Sequence, residues 1–123
     1  MAKILVIDDQ IEMREVMKNL LEEQGYDVEI AEDGSDGLTK HRDNPANLII
    51  TDLHMPGKDG LQTIRELRDA NEDVKIIAMS GANTFMVETN LETSERIGAD
   101  MAFSKPFDHS EFNQAVRCLI EGG

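Results

Sequence analysis

Five polar residues stand at the C-terminal ends of short apolar runs. Asp8 and Asp9 follow the run 4–7, Asp52 follows the run 48–50 and Thr51, Ser80 follows 76–79, and Lys105 follows the weaker run 101–104. Three acids gathered at one place repel one another, and a hard divalent cation relieves that repulsion. A carboxylate set without His or Cys suits Mg2+ rather than zinc, because Mg2+ takes a few carboxylate oxygens and completes its shell with waters and phosphate oxygens. A carboxylate backed by such a cation can attack phosphorus and form an acyl phosphate, a reaction that rests on positioning and charge neutralisation. Lys105 would then neutralise the far side of the phosphoryl group as a mobile point charge. Ser80 would donate a hydrogen bond to it, and Gly81 beside Ala82 would leave room. Taken singly, each residue has a plainer reading: Asp9 capping a helix, Asp8 in solvent, a Ser and a Lys in polar loops. Capping and metal binding are compatible, and joint placement at strand ends is what solubility does not explain.

The elements that must carry these residues follow from periodicity. Runs 4–7, 48–50 and 76–79 are continuously apolar, the pattern of strands covered on both faces. Val28 and Ile30 alternate with Glu29, as on a half-exposed edge strand, and 101–104 is a weaker edge candidate. Met13, Val16, Met17, Leu20 and Leu21 repeat at helical spacing until Gly25, with Asp9 and Glu12 placed to cap the start. Leu61, Ile64 and Leu67 mark a helix behind Asp59 and Gln62. Phe112, Ala115, Val116, Leu119 and Ile120 mark the last one, behind Asp108 and Glu111. Residues 36–42 form a weaker helix. Residues 84–97 form the weakest, because Glu88, Thr89 and Asn90 interrupt it. His41 and His109 are expected to face solvent. The order βαβαβαβαβα predicts an α/β fold: a (βα)5 doubly wound parallel five-stranded sheet, flavodoxin-like, with strand order 2-1-3-4-5. In such sheets ligands bind at the carboxyl ends of the strands, near the reversal of strand order.

Composition bounds the reading further. The 123 residues suit one domain spanning 1–123. Aromatics are 4% with no Trp, so the core must be aliphatic. A formal net charge of −13 repels phosphate backbones and anionic lipid heads, which argues against direct nucleic-acid or membrane binding and suits basic partners and cations. Cys118 is the only cysteine, so an internal disulfide is excluded, and it falls off the apolar face of its helix. The N-terminal apolar stretch is too short for a signal peptide and no run is long enough to span a bilayer, so a cytoplasmic location is expected.

The segments ILVIDD, LIITDLHMPGKDG, IIAMSG and GADMAFSKPF resemble the signature segments of response-regulator receiver domains (CheY-like) of two-component phosphorelays, and the resemblance runs from residue 3 to about residue 120. It implies Asp52 as phosphoacceptor, Asp9 and Asp52 as direct Mg2+ ligands, Asp8 acting through water, and the His54 backbone carbonyl as a further ligand. Ser80 and Lys105 would hold the phosphoryl group, the Lys105–Pro106 peptide would be cis, and Met55, Pro56 and Gly60 match the turn after the phosphorylated strand. The implied donor is a sensor histidine kinase or histidine-phosphotransfer protein. The implied output is a changed face of the fourth helix, fifth strand and fifth helix, offered to a downstream protein or output domain. Such a chain is a self-phosphorylating acceptor with slow autodephosphorylation rather than an enzyme. No output domain fits after residue 120, so a stand-alone regulator and a piece of a longer protein are both open.

Three features depart from that pattern. The family's aromatic three residues before the lysine is Ala102 here, and strand alternation turns its neighbour Phe103 to the opposite face. Movement of the Ser80 loop and fourth helix would then carry the signal without an aromatic rotation. The stretch after Ser80 is longer than usual, with Phe85 and Met86 placed to pack or to meet a partner. His54 can shield the site, place water, or contribute its carbonyl alone. Competing classes fit less well. An aspartyl phosphatase would carry an acid at position 54 and a cap, a flavodoxin-like cofactor binder would replace Asp8 and Asp9 by a hydroxyl- and glycine-rich loop, and an unphosphorylated docking module has no need of all five residues.

Overall fold

A strand without polar alternation must be covered on both faces, and the computed structural model, which describes residues 2–53, 59–70, 73–81, 93–105 and 107–122, shows how that is done. In chain order the elements are β1 (Lys3–Ile7), α1 (Ile11–Glu23), β2 (Asp27–Ala31), α2 (Gly34–Asp43), β3 (Leu48–Asp52), α3 (Gly60–Asp69), β4 (Lys75–Ser80), α4 (helical residues 93–97), β5 (Met101–Ser104) and α5 (His109–Glu121). All neighbouring strands are parallel, in the order β2-β1-β3-β4-β5. The apolar runs are two interleaved patterns of period two. Leu5, Ile7, Ile49, Ile76 and Ala78 pack with Ile64, Leu67 and Ala99 on the side of α2, α3 and α4. Ile4, Val6, Leu48, Ile50, Ile77 and Met79 pack with Met17, Leu21, Phe112 and Val116 on the side of α1 and α5. Each such fully buried Ile, Leu or Val side chain contributes roughly 1.5–3 kcal/mol relative to exposure.

Register sets the rim. Ile7 pairs with Thr51, Asp52 with Met79, and Ser80 with Ser104, so the residues that follow β1, end β3 and β4, and follow β5 emerge side by side. Because all five strands run parallel, their C-terminal ends lie at the same end of the sheet.

The caps mostly follow the sequence. Asp59 accepts from the Gln62 amide (2.9 Å), and Asp108 accepts from the Glu111 amide (3.0 Å). Helix α2 begins earlier than its apolar pattern suggests, because Asp33 accepts from the Asp36 amide (2.8 Å) and carries the start through Gly34. Gly25 ends α1 with φ of 94°, a conformation that side chains with a Cβ disfavour.

Several local expectations are corrected. Asp9 does not cap α1: the cap position is Gln10, without a side-chain bond, and the Asp8 carboxylate instead accepts the Gln10 amide at 2.9 Å. Asp8 is therefore not in solvent but fully buried. Val16, counted with the apolar repeat, is half exposed, as is Ile11. His41 is buried rather than solvent-facing, since its Nδ1 accepts the Ala46 amide (3.0 Å) in the turn before β3, where no backbone acceptor serves that donor. His109 and Cys118 are exposed as expected. Ala102 and Phe103 point to opposite faces: Ala102 meets the α2–α4 side, and Phe103 stacks edge-on against Phe112 at 5.7 Å between ring centroids. Phe85, Met86 and most of the 84–97 stretch lie outside the described residues. Among the described residues, no helix is long and apolar enough to cross a membrane.

Two substitutions test these packing arguments. A Cβ at Gly60 would press into the Asp52 carbonyl oxygen and lie 2.8 Å from Leu53 Cα, both backbone atoms that cannot swing away. Gly60→Ala should therefore cost about 1–3 kcal/mol by overpacking, more than the roughly 1 kcal/mol that helix propensity would return. His41→Leu leaves the Ala46 amide without its acceptor and should cost about 1–3 kcal/mol. Urea unfolding would report both as a lower midpoint at unchanged slope.

Candidate functional site

Asp8 is held at every polar atom. Its amide donates to the Ala31 carbonyl (3.1 Å), its Oδ1 accepts from the Gln10 amide (2.9 Å), and its Oδ2 accepts from Lys105 Nζ (2.9 Å). Its main-chain carbonyl accepts from Arg14 Nη1 at 2.7 Å. Asp52, 5% exposed, shares the same lysine: Nζ lies 3.2 Å from its Oδ2. Asp9 is exposed, yet its carboxylate oxygen, one from Asp8 and one from Asp52 all lie within 4.8 Å of one another.

A buried carboxylate is costly unless paired and hydrogen-bonded. Lys105 touches two of the three acids, and three carboxylates against one ammonium leave an excess of negative charge. Burial alone would push the lysine's pKa down. The hydrogen bond to Asp8, the charges of Asp52 and Asp8, and the hydrogen bond to Asp52 outweigh that, so the ammonium is held above its ordinary 10.5.

The backbone fixes the remainder. Thr51 Oγ1 donates to the Asp52 carbonyl (3.0 Å), the Leu53 amide donates to Met79 (2.8 Å), and Gly60 sits against the Asp52 main chain. The Lys105 amide donates to the Ser80 carbonyl (2.8 Å), which ties the lysine to the end of β4. Ser80 is fully buried, and among the described residues a Cβ on Gly81 beside it would meet nothing within 4 Å.

Of the residues singled out in the sequence, Asp8, Asp9, Asp52 and Lys105 come together directly, Ser80 is joined to them through the β4–β5 pairing, and Gly81 follows it in the chain. His54, Met55, Pro56 and the Lys105–Pro106 peptide lie outside the described residues. Arg14 was not singled out in the sequence. Its signal was present, because helix side chains lean toward the N-terminus and a residue in the first turn of α1 can reach back over the Asp8–Gln10 loop. The donor set suits Mg2+: three carboxylates offer hard oxygen ligands within 4.8 Å of one another.

Comparison with known proteins agrees with this arrangement. The family model described as response regulator receiver domain matches residues 4–117. Response regulator MprA of Mycobacterium sp. (strain KMS) is 32% identical over 97% of this chain and 50% of its own length. The transcriptional regulatory protein CpxR homolog of Haemophilus influenzae is 33% identical over 98% of this chain and 51% of its own. The chain thus spans about half the length of these curated relatives. Among solved structures, the receiver domain of Francisella response regulator 1452 superposes with a TM-score of 0.90 at 29% identity, covering 99% of this chain and 98% of the other. A family match over nearly the whole chain, on the five-stranded fold already described, establishes that the chain belongs to the response regulator receiver domains.

Proposed function

We propose that this chain is a phosphorylation-activated switch of a two-component system, in which Asp52 accepts a phosphoryl group in a Mg2+-dependent reaction. The observation that carries this reading is one ammonium shared between two buried carboxylates, Lys105 on Asp8 and Asp52, with Asp9 alongside. An Asp52 carboxylate oxygen attacks phosphorus, and an acyl phosphate P–O bond forms. The P–N bond of a donor phosphohistidine breaks, with its electron pair leaving on the imidazole. The donor is a sensor histidine kinase or histidine-phosphotransfer protein, which places the reaction in the cytoplasm.

Asp8, Asp9 and Asp52, with the His54 carbonyl, would hold Mg2+. When bound, the ion neutralises charge on the phosphoryl oxygens. Lys105 already touches the acceptor and is placed to follow its charge onto the phosphoryl group. The Ser80 hydroxyl donates to a phosphoryl oxygen in the space beside Gly81. Because Asp52 is itself modified, the chain is an acceptor rather than an enzyme, and slow hydrolysis resets it. The phosphoryl group adds about −1.5 to −2 charge by the general value for phosphorylated side chains. With Ala102 in place of an aromatic, the Ser80 loop and α4 carry the change to the face of α4, β5 and α5. A downstream protein or an output domain reads that face.

Intact mass after incubation with Mg2+ and acetyl phosphate tests the switch chemistry. A single phosphoryl adduct is expected on the wild type and absent from Asp52→Asn and from a metal-free control. No adduct, either there or with a competent phosphotransfer protein, would overturn the reading.

Lys105 gives a second test. A folded-state pKa above the unfolded one stabilises the protein fully below the unfolded value, about 10.4, and the stabilisation is lost as pH rises through the folded value. Wild-type thermal stability should therefore fall more steeply above about pH 10.4 than that of Lys105→Met. The same variant removes a cation that competes for the carboxylates and should bind Mg2+ more tightly by calorimetry. Parallel pH profiles and equal affinity would remove Lys105 from the site.

A further inference from the structure

Asp9 is the exposed member of the acidic trio, and what aims it is the main chain on either side. On the Asp8 side that main chain is clamped by Arg14, whose Nη1 donates to the Asp8 carbonyl at 2.7 Å, the shortest of the bonds on Asp8 given above. Arg14 is a poor choice for its place in the helix. It lies four residues after the Gln10 cap, where the helix dipole presents positive charge and disfavours a cation. Its half-buried guanidinium is instead turned back onto the loop. A charge-assisted bond to that carbonyl fixes the peptide joining Asp8 to Asp9, and with it the direction in which the Asp9 carboxylate leaves the chain.

We propose that Arg14 is a positioning residue for the cation site, holding the β1–α1 loop so that Asp9 converges with Asp8 and Asp52. This rests on the reading of those three acids as a Mg2+ site, and it concerns a residue that touches neither the cation nor the phosphoryl group.

The sign of the effect separates positioning from simple electrostatics. Deleting a positive charge near three carboxylates, taken alone, strengthens attraction for a divalent cation. Releasing the loop weakens it. A residue that only stabilises the fold would leave the affinity of the folded fraction unchanged.

The experiment is a calorimetric titration of the purified chain with MgCl2, for the wild type, Arg14→Met and Arg14→Lys. Thermal unfolding of each metal-free protein is run alongside. Arg14→Met should raise the Kd for Mg2+ on the order of tenfold, the scale seen when a partner behind a metal ligand is lost. Arg14→Lys, which keeps a charged donor, should restore affinity toward the wild type. The rate of phosphorylation by acetyl phosphate in Arg14→Met should recover when Mg2+ is raised to saturation. If Arg14→Met does not fold, Arg14→Gln, whose amide is too short for the carbonyl, carries the same expectation. An unchanged or tighter Kd in a folded variant overturns the proposal. Absence of Mg2+ binding to the wild type would overturn the metal-site reading itself, an outcome distinguishable from the first.

Discussion

The structure is organised around repulsion between carboxylates that the fold will not let separate. Asp8 is fully buried and Asp52 almost so, both at the rim of a sheet whose faces are covered by helices. Water cannot screen them there as it screens surface acids, so the surrounding chain must supply positive charge and hydrogen-bond donors. Lys105 supplies the charge, the Gln10 amide, the Ala31 carbonyl and Arg14 fix Asp8, and Asp9 adds a third carboxylate to the same rim.

Much of the rest of the molecule keeps that repulsive group in place. The parallel register brings the strand ends level, and the two aliphatic layers hold the strands that carry them. Gly60 lets the start of α3 press against the Asp52 main chain, so the backbone of Asp52 is backed by a helix. On the other side, Phe103 and Phe107 flank Lys105 in sequence and both rings lie against Phe112 of α5. The lysine that answers the charge of Asp52 is thereby flanked by residues of an aromatic cluster on α5.

Ala102 lies on the α2–α4 side of β5, while the rings of Phe103, Phe107 and Phe112 sit on the opposite side. The Lys105 amide donates to the Ser80 carbonyl, so a backbone hydrogen bond links the end of β4 to the residue after β5.

The described strands, their order and the sheet topology were legible in the sequence, because periodicity is local and strict alternation of strands and helices leaves few topologies. Continuous apolar runs require strands covered twice, and the caps at Asp59 and Asp108 follow from an acid placed before a helical pattern. What tertiary structure decided were contacts that local pattern does not encode. Lys105 and Asp8 are 97 residues apart. Asp9 looked like a cap and Asp8 like a solvated neighbour, yet the fold buries Asp8, turns its carboxylate onto Gln10 and leaves Asp9 facing out. His41 looked exposed until the turn before β3 left the Ala46 amide in need of an acceptor. Arg14 gains its meaning only when its helix is set beside the loop it clamps. Sequence fixes periodicity and chemical type; which donor meets which acceptor is settled only when distant segments are packed and every buried polar atom must find a partner.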